Sequence, residues 1–267
     1  MSQGTELLLF YKGSVSQKSV IELPAIDAPW LRGDGLTESI RTSHGKVFHL
    51  NRHIKRLEES IRELLFALPA EGELESACQE IILSLPKVAL GTLRISYYSN
   101  GEFFITHKEN HLNDEQLMVA LSPFPRYSLA PVLRHKTVSY AENCYGLRLA
   151  AEIGCNEVLF VNEEGNLTES ALANVVVEIG GELVTPSIES GILPGVVRSL
   201  ILEWDLGVKE REVHQSEFDL ITGVALLSSI RGVRAATSFA GRPLANSPEI
   251  RNLADVFEQR SLDNPAY

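Results

Sequence analysis

Cysteine is scarce in this chain of 267 residues: Cys78, Cys144 and Cys155 are the only three, an odd number without metal-ligand spacing. That excludes a disulfide framework and a thiolate zinc cluster, so no metal is expected. Long apolar runs are absent too, since no stretch approaches the roughly 20 apolar residues needed to cross a bilayer. The opening MSQGTELLLFYKG has one short apolar run and no basic segment ahead of it. Neither membrane insertion nor secretion is expected, and the cytoplasm is the natural compartment. Basic residues are outnumbered, 24 Lys and Arg against 35 Asp and Glu, for a net charge of −11. Nucleic acid and anionic membranes would be repelled by such a surface, so neither is expected as a partner and any anion site must be local.

What is present is apolar material for real cores, 44% of the chain, at a length that suits one large domain or two small ones. The first third alternates strand and turn signals: TELLLFY, then LTESIRT and KVFHL joined at Ser43-His44-Gly45. A helix follows, with Leu50, Ile54, Leu57, Ile61, Leu64 and Leu65 at helical spacing and Asn51 as its N-cap. A second helix is predicted over Glu73 to Leu83, and TLRISYYSNGEFFITH reads as a hairpin turning at Asn100-Gly101. Three prolines in SPFPRYSLAP mark residues 122–131 as a linker. The expectation is therefore a small α/β domain over 1–121 and a larger domain over 132–267.

Beyond the linker, Lys136 precedes a helical pattern from Tyr140 to Ile153, and Glu169 follows a hairpin reversing at Glu164-Gly165. Gly180-Gly181 marks another hairpin, ILPG ends in Gly195 before a helical run from Val196 to Trp204, and GVALLSS precedes a last hairpin around Gly241. The first N–H groups of a helix have no internal acceptors and its dipole favours an anion, so the start at Gly195 can seat a phosphate. A nucleophilic lysine, an acid and a phosphate seat are what a pyridoxal phosphate site requires.

The order of these motifs resembles the class IV aminotransferases. This fold type IV pyridoxal phosphate family includes branched-chain and D-amino acid transaminases and aminodeoxychorismate lyases. The resemblance extends to GDGLTESIRTSHGKVFHLNRHIKRLEESI at residues 33–61, and so covers nearly the whole chain. It implies an α+β fold in two domains: a small N-terminal one and a C-terminal pseudo-barrel that binds pyridoxal 5′-phosphate.

It also implies roles for particular residues. Lys136 becomes the lysine that bonds the cofactor and then moves the substrate proton. Glu169 faces the pyridine nitrogen, with Asn174 as structural support. Arg56, rather than Arg52 one turn earlier, grips the phosphate with its planar fork. The backbone of Val196 and Val197 and the hydroxyl of Ser229 complete the phosphate cup, and Tyr140 hydrogen-bonds the ring hydroxyl or the lysine. Arg94 and Arg231 are candidates for a substrate carboxylate. Thr37 stands where the family usually has an aromatic residue, which enlarges or wets the substrate side.

Two reaction classes share this apparatus. The chain's compactness and its SSIRGVRAA segment favour cleavage of 4-amino-4-deoxychorismate to 4-aminobenzoate and pyruvate, in the folate pathway. The alternative is a transaminase acting on branched-chain or D-amino acids. Either takes a small-molecule amino substrate, and the resemblance implies a homodimer.

Overall fold

The computed structural model describes residues 7–26, 28–111 and 115–266. The first two residues of the predicted TELLLFY strand, Thr5 and Glu6, lie outside these. The described chain forms two compact units.

The first unit is an antiparallel sheet with two helices on one face. It contains β1 (Leu7–Tyr11), β2 (Ser14–Ser16), β3 (Gly35–Ser43), β4 (Lys46–Val47), α1 (Leu50–Glu63), α2 (Glu73–Leu83), β5 (Gly91–Tyr98) and β6 (Phe103–Glu109). The strand order is β2-β1-β6-β5-β3-β4. Strand alternation sends Leu36 and Ile40 of β3 and Leu93, Ile95 and Tyr97 of β5 into one core, where α1 adds Ile54, Leu57 and Ile61. Burying each of these aliphatic side chains contributes about 1.5–3 kcal/mol, which is what holds α1 on the sheet.

Three details differ from the sequence reading. α1 starts at Leu50 with His49, in left-handed conformation, at its cap, so Asn51 lies inside the helix and does not cap it. Leu65, spaced as a core residue, is 90% exposed because α1 has ended and the chain turns at φ 57°. The third difference concerns residues 136–139, which return to this unit from beyond the predicted boundary and lie against β3.

The second unit holds β7 (Met118–Leu121), α3 (Ala141–Glu152), β8 (Glu157–Val161), β9 (Leu167–Ser170), β10 (Asn174–Ile179), β11 (Glu182–Thr185), α4 (Val196–Glu203), β12 (Val208–Glu210), β13 (Ile221–Ser228), β14 (Gly232–Ala235), β15 (Ser238–Phe239), β16 (Arg242–Pro243) and α5 (Pro248–Asp263). They make two five-stranded sheets, β12-β11-β10-β13-β14 and β16-β15-β7-β8-β9. Alternate residues serve two cores. Val175, Val177, Val224 and Leu226 join Val119 and Leu159 in one, while Val176, Ala225 and Leu227 meet α4 and α5 in another. Strands buried on both faces read as unbroken apolar runs, as VVV and VALL do here.

The predicted boundary near Leu121 is thus corrected. β7 pairs in parallel with β8 and belongs to the second unit. The proline-rich stretch after it is packed into the same unit, with Arg126 buried. Helix α5 was not anticipated. Its start is nonetheless written in Ser247-Pro248: the Ser247 hydroxyl accepts from Ile250 N at 3.1 Å, and proline suits the first helical turn. No helix among the described residues is long and apolar enough to cross a membrane.

Candidate active site

The proposed catalytic lysine sits in the first unit, half-buried, where the chain runs along the free edge of β3. Thr37 N donates to Lys136 O at 2.7 Å and Val138 N donates to Gly35 O at 2.9 Å. The Thr37 hydroxyl is turned back to Ile95 O at 3.0 Å. Arg94 lies opposite Ser39 on the neighbouring strand, on the face away from the helices, and is exposed.

The same alternation that buries Leu36 and Ile40 aims Glu38 at α1. There it meets Arg56, whose Nε donates to Glu38 Oε1 at 2.8 Å and whose Nη2 donates to Oε2 at 2.7 Å. His53, one helical turn before Arg56, places Nδ1 2.7 Å from Oε2. Glu38 is 1% exposed. Burial alone would raise its pKa, but the Arg56 guanidinium, with His53, outweighs that and holds it at about 2. His53 moves the other way from a charged partner: burial pushes its pKa down against the pull of Glu38, and the Arg56 and Lys136 cations add to that push. The ion pair is therefore Glu38 with Arg56, beside a neutral imidazole. Lys136 is near enough for its charge to be felt at His53, so the lysine and the predicted phosphate-gripping arginine belong to one electrostatic cluster.

The second unit builds the other set. Glu169, at the end of β9, accepts from Asn174 Nδ2 at 2.8 Å and from Leu193 N at 3.2 Å through Oε2. Its Oε1 lies 3.8 Å from Arg126 Nη1. Asn174 Nδ2 also donates to Leu193 O at 2.9 Å, tying the acid to the ILPG loop. That loop ends at Gly195, the cap of α4, where an added Cβ would lie 1.9 Å from Asn174 Oδ1. Only glycine lets the loop pass this close, and the first-turn N–H groups of α4 at Val196 and Val197 then have no acceptors within the helix. Both valine side chains share a hydrophobic cluster with Ala225 and Leu227 of β13. Ser229 follows that strand, in the turn to β14 that also exposes Arg231. Tyr140 immediately precedes α3, and its carbonyl accepts from Cys144 N at 2.8 Å.

The structure thus gathers Thr37, Arg56, Arg94 and Lys136 in one unit and Tyr140, Glu169, Val196, Val197, Ser229 and Arg231 in the other. Sequence reading missed three participants. Glu38 and His53 were legible in principle, the first by its inward parity on β3 and the second by its spacing from Arg56. Arg126 was hidden in the stretch read as a linker. Its guanidinium stacks 3.6 Å above the Phe160 ring, and its Nε donates to Glu142 Oε1 at 2.9 Å. Among the described residues no group of three or more His, Cys, Asp or Glu side chains is placed to hold a metal.

These residues fit the cofactor that the sequence implies. The first unit offers an amine and a bidentate-capable arginine, and the second a helix start approached through an obligatory glycine and a carboxylate held by two donors.

Comparison with known proteins agrees. Residues 35–239 match the family described as Amino-transferase class IV. The chain is 26% identical to the aminodeoxychorismate lyase of Bacillus subtilis (strain 168) over 216 residues, 73% of each chain. It is 26% identical to the bifunctional aminodeoxychorismate lyase / D-amino acid transaminase of Mycobacterium tuberculosis, covering 92% of this chain and 94% of that one. Among solved structures, a hypothetical aminotransferase from Mycobacterium tuberculosis in its PLP-bound form superposes with a TM-score of 0.83 at 20% identity, covering 96% of this chain and 99% of that one, which establishes the fold. The chain belongs to the class IV aminotransferase family, whose enzymes depend on pyridoxal 5′-phosphate.

Proposed function

We propose that this enzyme is a lyase that converts 4-amino-4-deoxychorismate to 4-aminobenzoate and pyruvate, in the folate pathway, working as a cytoplasmic homodimer. The observation that carries the reading is the likeness to the Bacillus subtilis lyase along nearly three-quarters of both chains. The SSIRGVRAA segment, with Arg231 exposed in a three-residue turn, supports it.

The cofactor supplies an electron sink for the carbon bearing the substrate amine. Lys136 would hold the cofactor through its amine and would serve as the base for the proton on that carbon. Loss of the proton and departure of the enolpyruvyl group from the adjacent carbon leave an aromatic ring, and the released enol becomes pyruvate. Glu169 keeps the pyridine nitrogen protonated. Arg56, the N–H groups of Val196 and Val197, and Ser229 hold the phosphate, and Tyr140 orients the ring hydroxyl or the lysine. Arg94 and Arg231 receive substrate carboxylates, which arginine matches at two points, and Thr37 leaves room for the bulky ring.

A second reading, a transaminase acting on branched-chain or D-amino acids, draws on the bifunctional Mycobacterium tuberculosis relative. One assay separates the two. Incubation with 4-amino-4-deoxychorismate and no keto acid should release 4-aminobenzoate and pyruvate in equal amounts over many turnovers. No release, with amino acids converting the bound cofactor to its amine form, would replace the lyase by the transaminase.

A further inference from the structure

Helix α4, whose start is read as part of the phosphate seat, carries a buried cation that the proposed chemistry does not use. Arg198 lies in its first turn, directly after Val196 and Val197, and is 3% exposed. Its Nη2 donates to Pro186 O at 2.7 Å and also to the Glu210 carboxylate. Pro186 is the residue that follows β11, and Glu210 is the last residue of β12, paired in parallel with Thr185 of β11. One guanidinium nitrogen therefore ties the first turn of α4 to the adjoining ends of two strands.

The chain between these ties is the loop that reaches Glu169. From Pro186 it makes a 3-10 turn at Ile188–Ser190, bends at Gly191 with φ 87°, and runs through ILPG to Gly195. Its middle is fastened by Leu193, whose N donates to Glu169 Oε2 at 3.2 Å and whose O accepts from Asn174 Nδ2 at 2.9 Å. Arg198 closes its two ends. The first hydrogen bond inside α4 runs from Ser199 N to Gly195 O at 2.9 Å, so the N–H groups of Val196 and Val197 point along the helix axis ahead of it. Backbone donors cannot swing as side chains do, and their aim is the aim of the whole first turn.

Stability alone gives a poor account of an arginine here. A cation in the first turn has the wrong sign for the helix dipole, and burying it is costly even when it is paired. Its Nε is buried and has no hydrogen-bond partner among the described residues. The other buried residues of α4, Val196, Val197, Leu200 and Ile201, are all apolar. An apolar side chain of similar length typically holds such a fold at least as well as a buried ion pair.

We propose that Arg198 is a positioning residue for the cofactor phosphate: it joins Pro186 and β12 to the first turn of α4 and so fixes the aim of the Val196 and Val197 N–H groups. The inference rests on the reading of those groups as part of the phosphate seat.

The test compares the binding of pyridoxal phosphate with that of pyridoxal, which lacks the phosphate, to wild type, Arg198→Met and Gly195→Ala. The Glu210 side chain is 41% exposed, so water can take over its carboxylate once the arginine is gone, and Arg198→Met should melt close to wild type. Its affinity for pyridoxal phosphate should fall about tenfold or more, the size of one charge-assisted hydrogen bond, while its affinity for pyridoxal is unchanged. The 31P signal of its bound cofactor should be displaced from the wild-type one. Equal losses for the two ligands, or no loss for either, would overturn the positioning role and leave Arg198 a residue of the fold alone. Gly195→Ala reports on the seat by itself: a selective loss there without one in Arg198→Met would remove only the positioning role, whereas no selective loss in Gly195→Ala would remove the seat and the inference with it. Should Arg198→Met fail to fold, its combination with Glu210→Gln, which removes both charges, carries the same expectations.

Discussion

Glu38 and Arg56 form a two-point ion pair, at 2.8 and 2.7 Å, with the carboxylate wholly inside the first unit and the arginine side chain at its margin, 11% exposed. Two of the guanidinium N–H groups are committed to the protein, which fixes the plane of the fork. Glu38→Gln leaves that cation partly buried without its counter-charge, a change that costs about 3–5 kcal/mol in comparable pairs. We expect a lower unfolding free energy in urea and weaker binding of pyridoxal phosphate by equilibrium titration. A variant with wild-type cofactor affinity would separate Arg56 from phosphate binding.

Acid should destabilise the protein mainly below about pH 4.5. Glu38 has its folded pKa depressed to about 2 from 4.5, so its contribution is present above 4.5 and lost as pH falls toward 2, a term of about 3 kcal/mol. His53 and His107 are both pushed down by burial, and His107 adds a buried Nδ1 without a partner while its Nε2 meets Thr42 Oγ1 at 2.7 Å. Their contributions are present above the ordinary histidine value of 6.5 and decline below it. Glu157 acts in the opposite sense. Its pKa is raised from 4.5 to about 7, so its contribution is complete below 4.5 and lost as pH rises through 7. Between those limits the terms oppose each other, and urea midpoints should change little from about pH 7 to 5, then fall steeply below about 4.5. In Glu157→Gln the opposition is gone, and stability should climb with pH across the same window.

Gly195 has backbone angles open to any residue, φ −71° and ψ 141°, so its requirement is spatial. An alanine Cβ would fall 1.9 Å from Asn174 Oδ1 and push aside the side chain that donates to Glu169. Gly195→Ala should lower stability by about 2 kcal/mol and weaken cofactor binding at least tenfold. Asn174→Ala, which clears the obstacle, should let a Gly195→Ala double variant recover part of the stability in a thermal melt. No recovery would show that the alanine is resisted by something other than Asn174.

Local order was well written in the sequence. The 3.6-residue spacing of Ile54, Leu57 and Ile61 specifies α1, the strand alternation of Leu36 and Ile40 specifies which face of β3 is covered, and paired residues with positive φ at His44-Gly45 and Gly180-Gly181 make the tight hairpins. Motif order is also the ground on which Lys136, Glu169 and Arg56 are proposed as site residues. What escaped depends on contacts distant in sequence. β7 joins the second unit through its parallel pairing with β8, about 40 residues away, which no local pattern specifies. Arg126 lies among prolines that signal a loop, and its burial comes from the Phe160 ring and two acids contributed by other segments. Helix α5 has a sound cap but only Ile250, Leu253 and Phe257 as its main apolar stripe, a signal that the polar residues between them dilute.

Lys136 is held in place by its backbone, through Thr37 N at 2.7 Å, so the side chain can be removed without cutting the link to β3. Lys136→Ala should therefore fold with a melting temperature close to wild type, while losing both the covalent tether for the cofactor and the base. Turnover should drop by several orders of magnitude, and the absorbance of lysine-bound cofactor should vanish. Glu169→Gln should behave differently, retaining the tethered spectrum and losing rate. A small amine such as methylamine, added to Lys136→Ala, supplies a base of similar chemistry and should restore a fraction of the activity. If the variant turned over at the wild-type rate without added amine, the base would have to be another residue. Tyr140 would then be the next to replace, because it precedes α3 only four positions after the lysine.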